Sequence, residues 1–442
     1  MRDLLFNLVD ESPAGGYTDA RHERRTITEL ALDERGPQLS SHEKTGGFCR
    51  IAGLRGMAHV AFTEPESAIK LVKRETRNAS AVAGTSISAP PARVARVECP
   101  KQQPIEGRVK TLRENYALLS GFPAIKRASL YFRQERCHKL FANSAGTFLE
   151  QDQQWDFCLL SVLVENGQWA VEVLSAADGV LQDEQFHIEQ LGRWTESLRS
   201  ATMPSKGRYT VILEPQLAGA VIHETVGHLS EADNTTRSRS VQQHFSIGSR
   251  VGADNFSVVD DASLPGLPGS YAFDDEGVPG GRTTLVREGI VAAKLHTLRT
   301  AAEGSAEPTG SARAADFACE PIVRCSNTLV LPGDQTTEEL IESVADGLYL
   351  RGVGGGRTYG DTFVYSACGG NRIRDGRLAE PVGNITIRAQ VTDFLSNITG
   401  IGSHMPRFSS PFCIKKGQPW MPVWSGSPAL RVANVPLEPG SC

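Results

Sequence analysis

Apolar and polar residues alternate along residues 26–32 (T-I-T-E-L-A-L), the pattern of a strand with one buried face. Residues 48–62 continue in the same manner, with Arg55-Gly56 marking a turn inside the run. Residues 68–77 predict a short helix. Residues 78–107 are rich in Ala, Ser and Pro and predict a linker or long surface connection. A helix is expected over 109–119, followed by strands at 128–134, 139–143 and 157–165. Residues 186–200 return to helical spacing. Residues 209–214 read as a strand by composition, and Pro215 and Gly219 then bracket the entry to another helix.

From Asn255 onward, short strand candidates are punctuated by Gly and Pro. Residues 283–286, then R-E-G, then 290–295 predict a hairpin. Residues 338–348, introduced by P-G-D, predict an amphipathic helix, and no repeat of fixed period is visible. The expected fold class is α+β. N-terminal mixed α/β regions, with a β-sheet and flanking helices, would precede a β-rich C-terminal domain that carries the helix after Pro215. The expected divisions are an N-terminal α/β domain over 1–80 and a linker over 81–107. A middle α/β region over 108–206 would pack with the N-terminal domain, and the β-rich domain would occupy 207–442.

Composition narrows the class. A chain of 442 residues exceeds one ordinary core and suits two or three domains. With 40% hydrophobic and 22% charged residues it has the balance of a soluble globular protein. A net charge of -5 lacks the basic footprint of a nucleic-acid binder, so nucleic acid is not an expected ligand. The start M-R-D-L-L-F-N-L-V-D-E-S-P is not expected to be a signal peptide, because Asp10 and Glu11 break the apolar run. No stretch approaches the roughly 18 apolar residues of a membrane span, so no membrane is expected. Nine cysteines without C-x-x-C spacing fit reduced thiols, and a cytoplasmic location is expected.

The candidate chemistry lies in V-I-H-E-T-V-G-H-L-S-E, residues 221–231. His223 and His228 stand five apart, where an H-E-x-x-H zinc-protease helix sets its histidines four apart. On an ideal helix, four residues turn a side chain by about 40° and five by about 140°. Two imidazoles at the wider angle could not share an ion without distortion. A π-bulge would absorb the extra residue, and Gly227 is the residue that best tolerates such rewinding. Glu224 would then be a general base on a metal-bound water, not a ligand. Glu231 or Asp233 could accept the free N–H of a ligand histidine. The stretch also fits two buried, hydrogen-bonded histidines with no metal. Catalytic zinc normally takes three protein ligands, and on these residues alone both readings stay open.

Elsewhere, Asp274, Asp275 and Glu276 fit a turn between strands better than a carboxylate site. Arg313 and Arg324 fit a grip on substrate carbonyls or a terminal carboxylate as well as they fit ties between loops. The glycines at 354–356 match no phosphate loop; such a run lining a cleft would let a peptide backbone approach closely.

Several blocks together resemble the TldD/PmbA metallopeptidases, whose catalytic TldD branch carries H-E-x-x-x-H. They are H-E-T-V-G-H-L-S-E-A-D, Y-A-F-D-D-E-G-V-P-G, A-E-P-T-G-S-A-R-A, V-R-C-S-N-T, G-V-G-G-G, C-I-K-K-G-Q and G-S-P-A-L-R, in family order. The resemblance implies a third metal ligand, Cys413, beside His223 and His228, with one Zn²⁺ per catalytic subunit and Glu224 as base. It also implies peptide substrates and a dimer, either a homodimer or a heterodimer with a metal-less PmbA/TldE-like subunit. Two positions depart from the family. Ile414 replaces a glycine and would narrow the approach to the metal. His404 stands where an acidic residue is common, as a surface-loop histidine or a substrate contact. These departures motivate a second reading, a biosynthetic amidohydrolase or peptide-processing enzyme for one natural product. A third, a regulatory binding protein without hydrolysis, follows the family's old label of DNA gyrase modulator. The complete ligand set argues against it.

Overall fold

The structure, a computed structural model, describes all residues except 14, 54–55, 80–92, 98–104, 177–180, 182, 236–238, 407–411 and 441–442. Most of the expected linker at 81–107, the Arg55 position of the expected turn, Cys99 and Cys442 lie outside the described residues.

The first half of the chain builds one sheet. Its elements are Arg2–Val9 (α1), Tyr17–Asp33 (β1), Gly36–Gly53 (β2), Gly56–Phe62 (β3), Pro65–Ala79 (α2) and Val94–Val97 (β4). They continue with Ile105–Ser120 (α3), Ile125–Asn143 (β5), Phe148–Val164 (β6), Trp169–Ala176 (β7) and Glu184–Leu198 (α4). The strand order is β3-β2-β1-β5-β6-β4, with β7 also on β6. Helices α3 and α4 bury Leu112, Leu119, Ile188, Leu191 and Trp194 against Leu30, Leu130, Phe132 and Leu160 of the strands. Helices α1 and α2 cover Ala20, Cys49 and Ile51 with Leu5, Leu8, Ala68 and Val72.

β1 is longer than its alternation predicts. Thr18, Asp19, Arg21, His22 and Glu23, polar enough to read as a loop, are all buried strand residues. Their charges are matched across the sheet and by the second half of the chain: Arg50 pairs with Asp19 and Glu276, and Lys139 with Asp275. Arg21 Nη2 donates to the Asp316 carbonyl at 3.1 Å. The expected strands at 128–134 and 139–143 are likewise one strand, β5, paired continuously with β1.

The second half opens with Gly207–Leu213 (β8). It runs into Pro215–Ile222 (α5), a π-helical turn over His223–Gly227, His228–Ser230 (α6), Ala232–Thr235 (α7) and Arg239–His244 (α8). Next come Val258–Asp261 (β9), Arg282–Arg287 (β10), Ile290–Val291 (β11), Leu298–Gly304 (α9), Ala312–Arg313 (β12), Ile322–Val323 (β13) and Asn327–Val330 (β14). Then follow Thr337–Glu342 (α10), Asp346–Tyr359 (β15), Thr362–Arg374 (β16), Arg377–Val382 (β17), Ile385–Gln390 (β18) and Val391–Ser396 (α11). The last are Ile398–Ile401 (β19), Phe412–Lys415 (β20), Gln418–Pro422 (β21), Trp424–Gly426 (β22) and Leu430–Pro439 (β23). One sheet has the order β15-β8-β23-β18-β16-β17, with β15 also pairing β16 and β19 on β23; the other has the order β11-β10-β9-β14-β22. Helix α5 packs on β14 and β22 of one sheet and on β15 of the other, and every residue from 216 to 222 is buried. The fold is thus α+β with a β-rich C-terminal part, as the periodicity predicts.

Two local expectations are corrected. The helix expected over 338–348 stops at Glu342. Leu348 instead pairs with Val211 as a strand, and a Cβ on Gly347 would come 2.5 Å from the Thr210 carbonyl oxygen, so sheet pairing overrides the helical spacing. The β10–β11 hairpin is present, turning through Glu288 and Gly289 with φ of 50° and 75°, but its second strand ends at Val291. Among the described residues, no helix is long and apolar enough to cross a membrane.

Candidate metal centre

Helix α5 starts with Pro215 in its first turn, where a missing N–H is harmless. A Cβ on Gly219 would overlap the Ser425 carbonyl oxygen, so this glycine lets the helix lie directly against β22. The N–H of His228 then donates to the carbonyl of His223, five residues back. This wide turn absorbs the extra residue of H-E-x-x-x-H and brings the two imidazoles together, ring centroids 4.8 Å apart at 68°. Gly227 has ordinary helical dihedrals, φ -55° and ψ -62°. Its value is space: a Cβ there would stand 3.1 Å from Cys325 Sγ, 3.4 Å from Thr328 Oγ1 and 3.5 Å from His223 Nδ1.

Cys413 arrives on β20, in a hairpin with β21 that turns through Lys416 and Gly417, both at positive φ. Its Sγ lies 3.3 Å from His228 Nε2, and the donor atoms of His223, His228 and Cys413 all fall within 4.8 Å of one another. His223 Nε2 is buried with no hydrogen-bond partner, a state that a bound ion would relieve. On the far side of its ring, Nδ1 faces Thr328 Oγ1 at 3.4 Å, and Thr328 donates to Asp260 at 2.9 Å. The three donors therefore fit a metal ion.

His228 Nδ1 lies 2.9 Å from Glu231 Oε2, which also meets Lys415 Nζ at 2.9 Å and Asn234 Nδ2 at 2.8 Å. Burial alone would raise the Glu231 pKa, but Lys415 and then His228 hold it well below the usual carboxylate range. Cys413 follows the same logic: burial pushes its thiol up, and the His228 and His223 imidazoles more than reverse this, favouring thiolate. A second donor set, His228, Glu231 and Cys325, is equally compact, but Lys415 and Asn234 already occupy its carboxylate.

Glu224 stands at the open side. Its Oε1 is 3.9 Å from His228 Nε2, its side chain keeps 21% exposure, and burial raises its pKa. The Thr358 hydroxyl donates to its backbone carbonyl at 2.6 Å. A cleft of about 580 Å³ opens here, lined by Glu224, His228, Arg357, Thr358, Ile414 and Lys416 among others. Strand β15, which supplies Arg357 and Thr358, pairs with β16 on one side but with β8 only at 348–350 on the other. Its glycine run therefore leaves one backbone edge without a described strand.

The remaining expected residues are placed as follows. Asp233 binds Lys415 at 2.7 Å and Lys416 and so braces the Cys413 hairpin, while Glu231 is the one that meets His228. Arg313 donates to the carbonyls of Cys325 at 2.5 Å and Pro422 at 2.7 Å and lies over the Tyr271 ring. Arg324, wholly buried, donates to the Cys413 carbonyl at 2.6 Å. Both guanidinium groups thus tie loops. Ile414 is 59% exposed at the cleft wall, whereas His404 is exposed in the segment after β19 and is not among the lining residues. Asp274 accepts the backbone N–H groups of Glu276, Val278 and Ala312, which is turn chemistry. Sequence reasoning missed Thr328, Asp260, Asn234 and Lys415, the residues that aim the donors. Only Thr328 and Lys415 carried a signal, inside V-R-C-S-N-T and C-I-K-K-G-Q.

A sequence model of the PmbA/TldA metallopeptidase C-terminal domain matches residues 206–438, more than half of the chain, and the chain belongs to this family. A Methanothermobacter thermautotrophicus protein named metalloprotease is 35% identical over 304 residues, covering 67% of this chain and 66% of that relative. A Saccharolobus solfataricus protein named zinc metalloprotease TldD homolog is 32% identical over 324 residues, 71% of each chain. The chain thus spans just under two thirds of the first of these relatives and 71% of the second. A crystal structure from Thermotoga maritima, named as a candidate modulator of a DNA gyrase, has the same fold: TM-score 0.79, 18% identity, 99% of both chains covered.

Proposed function

We propose that this chain is a zinc-dependent peptidase that hydrolyses short or unfolded peptides. The observation that carries the proposal is the buried, unpartnered Nε2 of His223 within a compact set of two imidazoles and one thiolate. That donor set suits Zn²⁺ with a fourth position left for water. When bound, the ion would acidify the water and polarise the scissile carbonyl.

The chain's own residues supply the rest. Glu224, at the cleft and with a raised pKa, takes the proton of the attacking water and hands it to the leaving amine. Thr358 pins its backbone. Glu231 accepts from His228 Nδ1 and so leaves Nε2 for the ion, while the Thr328–Asp260 pair orients His223. The open edge of β15 receives substrate main chain by strand addition, which makes side-chain selectivity loose. The dimer, with a second copy or with a metal-less PmbA/TldE-like subunit, is part of the same proposal and rests on the family.

The test is Glu224→Gln. Elemental analysis should find its zinc content unchanged, while cleavage of a peptide library, read by mass spectrometry, falls by about a hundredfold or more. Full activity in the variant would refute the base; an intact, zinc-loaded wild-type protein that cleaves nothing would refute the peptidase.

A further inference from the structure

Beyond the cleft lies a second cavity of about 420 Å³, lined by Ala232, Asp233, Lys294, His296, Arg299 and Lys416 among others. Lys416 lines both cavities, and it sits in the turn of the Cys413 hairpin. We propose that this second cavity is a carboxylate-binding subsite, seating either the C-terminal carboxylate of a peptide or an acidic side chain next to the bond that is cut. The assignment to a subsite rests on the peptidase reading.

Its walls carry one guanidinium with no ion pair among the described residues and a buried amine without a carboxylate. Lys294 is only 8% exposed, and Nζ donates to the carbonyls of Leu229 at 2.8 Å and Phe245 at 2.7 Å. Its Nζ also stands 4.4 Å over the Phe245 ring, and among the described residues no carboxylate pairs with it. A buried cation without a counter-charge is expensive, and burial accordingly lowers the Lys294 pKa to about 7. Arg299 makes no ion pair among the described residues, and the neutral His296, its pKa lowered by burial, has a buried Nδ1 without a partner that offers a hydrogen bond and no charge. Of the two carboxylates in the lining, Asp233 is already shared by Lys415 and Lys416, and Glu303 is exposed. The Arg299 guanidinium, with no ion pair among the described residues, and the Lys294 amine are thus the groups a carboxylate would meet, and its charge would favour the ammonium form of Lys294. Ile247, 62% exposed at its edge, offers apolar contact to the carbon stem of such a ligand.

The experiment measures binding of fluorescein-labelled peptides to the zinc-loaded Glu224→Gln protein by anisotropy. One neutral sequence is used with a free C terminus, with an amidated C terminus, and amidated with a single Glu walked through its positions. A carboxylate should tighten binding about tenfold over the amidated neutral peptide, and the peptide that gains identifies its source. Adding Arg299→Glu should abolish the gain, and the milder Arg299→Gln should reduce it, with circular dichroism confirming the fold of each. Equal binding of all three peptides, no binding at all, or a gain that survives both substitutions would overturn the subsite. Wild-type hydrolysis, measured separately, distinguishes the two ideas. Cleavage without a carboxylate preference sinks only the subsite. A carboxylate preference without cleavage sinks the peptidase and leaves the cavity a carboxylate-binding site with no substrate role.

Discussion

Replacing Glu231 by Gln keeps the shape of a wholly buried side chain and removes its charge. In the native arrangement one carboxylate accepts from His228 Nδ1, Lys415, Asn234 and the Cys325 backbone N–H. A glutamine offers a single oxygen to these donors and turns its NH₂ toward at least one of them. Breaking a buried ion pair costs about 3–5 kcal/mol. Lys415 keeps Asp233 at 2.7 Å and the Val323 carbonyl at 2.6 Å, so the lower end, about 3 kcal/mol, applies. Thermal unfolding of the metal-free protein should move down by about 3 °C. Under the proposed zinc site His228 also loses its orienting partner, and zinc affinity, read by competition with a chromophoric chelator, should weaken by about 10–100-fold. If Glu231→Gln melts with wild-type protein and holds zinc within twofold, the carboxylate neither aims His228 nor braces the hairpin.

Two further outcomes are expected. Gly219→Ala drives a methyl group into the Ser425 backbone carbonyl on β22. It should destabilise the chain by about 3 kcal/mol or more, seen in denaturant unfolding; a stabilised alanine variant would contradict the close approach of α5 to β22. Glu214, at the head of α5, has its pKa raised by burial from the ordinary 4.5 to about 7. The folded state therefore holds this proton more tightly than the unfolded chain. The resulting stability is fully present below pH 4.5 and declines as pH rises toward about 7, by an amount of about 3 kcal/mol. Glu214→Gln should flatten that decline in unfolding measured between pH 4.5 and 7.5, and an unchanged slope would discount the residue.

The candidate metal helix was legible because its signal is local: two histidines at a five-residue spacing define an angular mismatch that a π turn repairs. The role of Gly227 was misjudged for the same reason. Its dihedrals are ordinary, and the space it leaves belongs to Cys325 and Thr328, far along the chain. Cys413 stands 185 residues from His228, and no periodicity links them; only the family resemblance did. The polar start of β1 escaped because alternation assumes one wet face. Both faces there are covered, with Asp19 and Arg21 meeting partners more than thirty and nearly three hundred residues away. The two arginines were ambiguous because a guanidinium forks equally well onto a substrate or a loop carbonyl, and here the hairpin of Cys413 takes both.

That hairpin is also gripped from the first half of the chain. Phe157 of β6 lies 5.6 Å from the ring of Phe412 and 6.0 Å from that of Trp420, which are themselves stacked at 4.4 Å. Cys413, the candidate donor farthest along the chain, thus sits on a hairpin that packs against a strand of the first sheet. Under the proposed activity, an unfinished chain holds the helix and its base but is a blank cartridge.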